Sequence, residues 1–279
     1  MDFTAIGWNL FHGRDFPPDP ALFTWRSRLL RICESNETHV QVNRGLAKEF
    51  AAMLADASWD VALLQECPPR FAAPLAAACG AEGQRVLTSR NSFGALRAAA
   101  ARLNPDLIAS GEGGSNLTLV RPAGALGAIS ERRELAIHEG KPERRGMAFT
   151  RTASGICVAN LHATNDIPDL ACEDVLLAAR QATEWAGDAP LLFGGDLNLR
   201  PAENPDLFAE LAQRFGLATP TTGPRAIDHL LARGLEPAAP PAPWLPERRE
   251  VPAGGRALRL SDHAPIEAMF RHPAAAGMR

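Results

Sequence analysis

Short apolar runs alternate with stretches of helical spacing along most of this chain. Residues 3–10 read as a strand. Across residues 43–57 the apolar positions Leu46, Phe50, Met53 and Ala57 recur at helical spacing, and the pattern runs into a strand over 60–65. Residues 171–185 repeat the theme, with Cys172, Val175, Ala179 and Ala182 on one face, and feed a strand over 191–195. Residues 147–151 and 156–161 flank Thr152-Ala153-Ser154-Gly155, a turn sequence, and so predict a hairpin. Residues 116–120 and 129–137 read as two more strands. Hairpins mixed with helix–strand units predict an α/β fold with sheets covered by helices. No internal repeat and no long linker divides the chain, so one domain over 1–279 is expected. The stretch 236–246 holds five prolines and is excluded from a helix interior or a central strand. Residues 236–258 are expected to form a Pro- and Arg-rich surface loop.

The polar residues that follow these runs change the picture. Ala5-Ile6-Gly7-Trp8 leads to Asn9, and Val61 to Leu64 leads to Gln65-Glu66. Cys157 to Leu161 leads to His162, and Leu191 to Gly195 leads to Asp196 and Asn198. Ala226-Ile227 meets Asp228, and Leu258 to Ser261 leads to Asp262-His263. In an extended chain, positions i and i+2 share a face, so Asp196 and Asn198 project together from the end of a buried strand. Any one of these residues alone is a cap or a solvated loop group. Six together point to a pocket, because ligands of α/β proteins gather where strand ends open into loops. Carboxylates crowded there cannot all stay charged without a cation. Oxygen-only donors suit Mg²⁺, or Mn²⁺, rather than zinc.

Composition sets wide bounds. The 279 residues are 46% hydrophobic and 22% charged, ordinary values for a folded protein. A net charge of −3 argues against gripping long nucleic acid as the main task. The N-terminal residues lack a signal peptide's basic start and apolar core. No apolar run reaches membrane-spanning length. Five cysteines without C-x-x-C spacing predict reduced thiols, and with the missing signals a cytoplasmic location is expected.

The ordered set Gly7-Trp8-Asn9, Leu64-Gln65-Glu66, Asn160-Leu161-His162, Gly195-Asp196-Leu197-Asn198, Ile227-Asp228 and Leu260 to Ile266 resembles the endonuclease/exonuclease/phosphatase superfamily. The motifs cover nearly the whole chain. The resemblance implies a four-layered α/β/β/α sandwich of two mixed β-sheets flanked by helices, and metal-dependent phosphoester hydrolysis at one edge of the sheets. By matching position, Glu66 is the principal metal ligand, with Asn9 beside it and Asp262 near the ion. Asp196 orients or deprotonates the attacking water, and Asn198 steadies the phosphate or that water. His263 contacts a phosphoryl oxygen. Its imidazole is held by Asp228 rather than by Asp262, since neighbours on an extended chain point apart. His162 matches a histidine that some members place near the leaving oxygen.

Core motifs leave the phosphoester substrate open, because loops select it. It is a small molecule, a lipid-derived phosphate or a nucleic acid. Three functions fit: a phosphodiesterase or phosphomonoesterase, a nuclease or abasic-site repair enzyme of the same fold, and a non-catalytic binding module. Retention of every matched polar position argues against the last. The glycine-rich Ser110 to Ser115 lacks P-loop spacing and reads as an ordinary loop. The arginines at 132, 133, 144 and 145, and at 248, 249, 256 and 259, have acidic neighbours and read as mixed-charge solvated faces. The segment 14–38 exceeds a minimal connection and is either a flap beside the site or a helix packed outside.

Overall fold

The computed structural model describes residues 1–89, 93–104, 113–140 and 143–273. Its first half runs β1 (Asp2–Asn9), α1 (Trp25–Leu30), β2 (Glu34–Ser35), β3 (Val40–Gln41), α2 (Ala47–Asp56), β4 (Val61–Gln65), α3 (Ala72–Cys79), β5 (Glu82–Thr88) and α4 (Gly94–Leu103). The second half runs β6 (Gly114–Val120), β7 (Ile129–His138), β8 (Arg145–Thr152), β9 (Cys157–His162), α5 (Pro168–Ala186), β10 (Leu191–Asp196) and α6 (Pro205–Phe215). It closes with β11 (Asp228–Arg233), β12 (Glu236–Pro243), β13 (Glu250–Ala253), β14 (Arg256–Arg259) and β15 (Ile266–Arg271).

Two sheets dominate. One has the order β12-β15-β1-β4-β6-β5 and the other β11-β10-β9-β8-β7. Both are mixed: β1 with β4 and β9 with β10 are parallel, and the other pairs are antiparallel. Successive strand residues face opposite sides, and both sides are apolar. In β1, Phe3 and Ala5 meet Val158, Leu192 and Leu230 between the sheets. Ile6 and Trp8 face the other way, toward Phe50 and Leu54 of α2 and Leu75 of α3. On the far side, Phe149, Leu161 and Phe193 pack on Val175 and Ala182 of α5 and Leu211 of α6. The result is the α/β/β/α sandwich that the resemblance implied.

Several boundaries differ from the sequence reading. α2 begins four residues after the predicted start because Asn43 adopts a left-handed backbone at φ 49°. α5 begins earlier, at Pro168, where a missing N–H costs a helix nothing. The expected surface loop over 236–258 is corrected. Residues 236–243 pair with β15 as an edge strand, and β13 and β14 form a hairpin. Proline is tolerated in β12 because that strand lies at a sheet edge, with register shifts at Pro237/Ala239 and Ala239/Ala242. All five cysteines are free thiols. Among the described residues, no helix is long and apolar enough to cross a membrane.

Polar groups tie the sheets together at one end of the sandwich. Gln65 Nε2 on β4 donates to Asn160 Oδ1 on β9 at 2.7 Å, and Asn160 Nδ2 donates to the Leu64 carbonyl at 3.3 Å. Both side chains are fully buried. Next to them β10 carries Gly194 and Gly195. A Cβ on Gly195, whose φ is 125°, would fall far inside contact distance of the Leu161 carbonyl and the Gln65 amide. Replacing Gln65 with Leu strands a buried acceptor and is expected to cost about 1–3 kcal/mol in urea denaturation. Gln65→Leu with Asn160→Leu should cost less than the sum of the single changes. Strict additivity would show that the pair is not coupled.

Candidate active site

Strand register gathers the polar strand ends. In the first sheet the parallel pair β1 and β4 ends together, Asn9 opposite Gln65, with Glu66 next in the chain. In the second, β9 and β10 end together, His162 opposite Asp196, and Asp228 opens β11 directly beside Asp196. Stacking the sheets brings both sets to one edge. Asn9 Nδ2 donates to Asp196 Oδ2 at 2.9 Å across the sandwich, and Asn9 Oδ1 accepts the Phe11 N–H at 2.9 Å. Asn198 has φ 54°; its backbone N–H donates to Asp196 Oδ1 at 3.1 Å and its Nδ2 to the Ala163 carbonyl at 3.1 Å.

The segment before β15 supplies His263. Ser261, at φ 59°, donates its hydroxyl to the Asn9 carbonyl at 2.6 Å and accepts the His263 N–H at 3.1 Å. His263 Nδ1 lies 2.8 Å from Asp228 Oδ2, and its Nε2 lies 3.9 Å from Asp196 Oδ2. The imidazole is thus paired with Asp228, while Asp262 is solvent-exposed and accepts from Ser261 at 3.3 Å. Asp196, Asp228 and His263 offer ligand atoms within 4.8 Å of one another. Glu66, at φ 47°, is placed by His12 at 3.1 Å and stands 4.0 Å from His162 Nε2. His162 Nε2 is also 3.6 Å from Asp196 Oδ2.

Burial and neighbouring charge set the protonation states. Burial, reinforced by the Asp228 charge, pushes the Asp196 carboxyl up to about 7, against the pull of His263 and the Asn9 hydrogen bond. Burial disfavours the His263 cation, yet the Asp228 charge and hydrogen bond, helped by Asp196 and Asp262, lift it to about 10. His162 is pushed down to about 3 by burial and then by Arg145, only partly offset by Glu66. It is therefore neutral at physiological pH. Burial works to raise Glu66, but the surrounding histidines and Asn9 hold it below the usual carboxylate range.

Two contributors were not evident in the sequence. His12 sits in a 3-10 turn just after β1, where Phe11 and His12 have φ of 47° and 52°. Arg249 comes from the arginine group read as solvated. Its Nη1 donates to the carbonyls of Ser261 at 3.0 Å and His263 at 2.7 Å, fixing the loop that carries the imidazole. The rest of that group matches the mixed-charge reading: Arg259 pairs with Glu250 at 2.7 Å and Arg248 with Glu267 at 3.1 Å. Arg145 departs from it, being buried near His162 with Glu143 at 3.3 Å. In the glycine-rich stretch, residues 110–112 lie outside the described residues, and Gly114 and Ser115 open β6.

A family model named Endonuclease/Exonuclease/phosphatase family matches residues 7–263, from the glycine two residues before Asn9 to His263 itself. The chain belongs to that family. Solved members show the same fold at low identity. A Bacteroides thetaiotaomicron endonuclease/exonuclease/phosphatase family protein is 14% identical over 98% of each chain, with a TM-score of 0.63. A mannosyl-6-phosphatase from the same organism is 13% identical over 96% of this chain and 99% of its own, at 0.62. Truncated TDP2 from Caenorhabditis elegans is 15% identical over 97% and 98%, at 0.56. No curated protein matches the chain. Family membership supports a phosphoesterase or nuclease in general.

The raised Asp196 fixes the sign of a stability effect. Between pH 4 and 7 the folded chain keeps a proton there that the unfolded chain releases, so stability falls as pH rises through that range. In chelator, Asp196→Asn is expected to raise the melting temperature more at pH 8 than at pH 5. An equal effect at both pH values would show that Asp196 carries no such strain.

Proposed function

We propose that the protein is a divalent-metal-dependent phosphoester hydrolase in which water attacks phosphorus directly. The observation that carries this reading is the convergence of Asp196, Asp228 and His263 with Asn9 and Glu66 where both sheets end. The donors fit a hard cation. Three carboxylates, of Glu66, Asp196 and Asp228, crowd one edge, and Asp228 Oδ1 is buried without a hydrogen-bond partner. Glu66, with Asn9 beside it and Asp262 nearby, would hold Mg²⁺ or Mn²⁺. Such an ion supplies charge neutralisation and polarisation of the P–O bond.

The chain's own groups divide the remaining work. Asp196 takes a proton from the attacking water, and a pKa near 7 suits a base at neutral pH. The Asn198 N–H fixes one Asp196 oxygen and Asn9 the other, so the carboxylate cannot rotate away from its task. The second hydrogen on Asn198 Nδ2 is available to steady a phosphoryl oxygen or the water. His263 is an imidazolium at neutral pH; it gives one N–H to Asp228 and turns the other toward the developing phosphoryl charge. His162 acts as a neutral hydrogen-bonding group and not as a proton source. Phosphoryl transfer needs little else, because it is mostly positioning and electrostatic stabilisation.

A screen with Mg²⁺ and with Mn²⁺ tests the reading. It would include sugar and inositol phosphates, bis(p-nitrophenyl) phosphate, sphingomyelin, single-stranded and abasic DNA, and RNA. Turnover that disappears in chelator, and that falls by roughly 10²–10³ in Asp196→Ala with the fold intact, is the expected result. No turnover on any of these would favour a binding module. Asp228→Asn should lower the His263 pKa and move the alkaline limb of the pH–rate profile to lower pH. An unmoved limb would show that the pair does not set the imidazolium.

A further inference from the structure

The segment 14–38 and α4 make up an unusual surface. α1 leaves Trp25 70% exposed, with Leu29 and Leu30 also in solvent. Beside it, α4 and its N-cap expose Phe93 at 81%, Leu96 at 71% and Leu103 at 67%. The two helices touch. Asn104 Nδ2, at the end of α4, donates to the Leu29 carbonyl at 2.9 Å and the Arg28 carbonyl at 3.4 Å. Buried Ser27 holds α1 to the body through Gln41 at 3.3 Å. The charge on these elements has one sign. Arg26, Arg28, Arg31, Arg97 and Arg102 lie on them, and residues 24–33 and 93–104 contain no Asp or Glu. A chain with net charge −3 thus concentrates positive charge where it also exposes hydrocarbon.

This surface reaches the active site. The Phe23 ring, just before α1, sits under the Arg28 guanidinium at 4.8 Å and packs against Phe11 at 6.1 Å and Phe16 at 5.0 Å. All three rings are half-buried. The Phe11 N–H is the group bonded to Asn9 Oδ1, and the next residue, His12, holds Glu66. An apolar apron therefore runs from the metal-side residues to the exposed helices.

We propose that α1 and α4 dock the protein on an anionic phospholipid bilayer, setting the edge that carries Asn9, Glu66 and His263 at headgroup depth. Exposed Trp, Phe and Leu with flanking arginines are what a segment lying in a membrane interface requires. Arginine stems cover apolar surface while their heads reach lipid phosphates. Single-stranded nucleic acid is the poorer occupant, because most of the exposed groups are aliphatic and cannot stack on bases. A second copy is poorer too, since pairing the face with itself would oppose five arginines to five. That the substrate is a phosphoester within headgroup reach rests on the hydrolase reading; the docking does not.

Sedimentation of the full chain with vesicles, in chelator, tests the surface. With roughly a third of the lipid as phosphatidylserine, binding and a blue shift of Trp25 emission are expected, and both weaken with salt. Leu29→Ser and Leu96→Ser should each weaken partitioning roughly tenfold. Arg26→Gln, Arg31→Gln and Arg102→Gln should each weaken it about fivefold. Asp196→Asn should bind like wild type. The surface variants should hydrolyse soluble bis(p-nitrophenyl) phosphate at the wild-type rate. The proposal falls if vesicles are not bound or if the leucine variants bind as well as wild type. Equal binding to pure phosphatidylcholine, displacement of vesicles by a single-stranded oligonucleotide, or self-association abolished by Leu96→Ser would overturn it as well. Vesicle binding without hydrolysis would leave docking standing and remove the hydrolase reading; hydrolysis without vesicle binding would do the reverse.

Discussion

The hydrogen bond from Asn9 to Asp196 joins the ends of two parallel strand pairs that belong to different sheets. It forms only if both pairs stop at the same level of the sandwich. That level is set by the neighbouring Gln65–Asn160 contact and by the absence of side chains at Gly194 and Gly195. A buried carboxylate is tolerated here because each of its oxygens accepts a hydrogen bond, one from Asn9 and one from the Asn198 backbone. Geometry and electrostatics are therefore inseparable at this edge. The burial that raises Asp196 is the same burial that closes the sheets.

The local charges are arranged as opposites. Asp228 stands between a carboxylate and an imidazole, raising the first by repulsion and the second by attraction. His162, a few ångströms away, is kept neutral by burial and by Arg145. Two histidines of one site thus differ by several units in pKa through environment alone, a division of roles that identical side chains can acquire only from their neighbours. Arg249 supports this indirectly, since its grip on two loop carbonyls holds His263 where Asp228 can reach it.

Much of this was legible in the sequence because apolar runs end abruptly in polar residues. Asn9, His162 and Asp196 close strands, Glu66 follows one, Asp228 opens one and His263 lies in the segment before β15, and the order of elements that delivers them is the order of apolar periodicity. Residue type alone did not reveal β12, whose prolines are acceptable because, among the described residues, it forms the edge of its sheet. α3 is composed mostly of alanine and offers no contrast between faces. The sequence does not mark His12 or the role of Arg249, for a different reason. They lie in irregular segments, one with a left-handed backbone, whose approach to the site is decided by contacts distant in sequence.

The first and last strands of the six-stranded sheet are neighbours: β1 lies between β4 and β15, with Asp2 opposite Arg271. A ribosome that has delivered everything through β14 has therefore made a chain whose central strand still shows one bare edge. Such an edge recruits other strands, so that interval is the one open to chaperone contact and misassembly. Asn9 and His263 come from strand ends far apart in the chain, one on β1 and the other just before β15. The polar cluster at the sheet ends is therefore assembled only after β15 has been delivered and has closed the sheet beside β1.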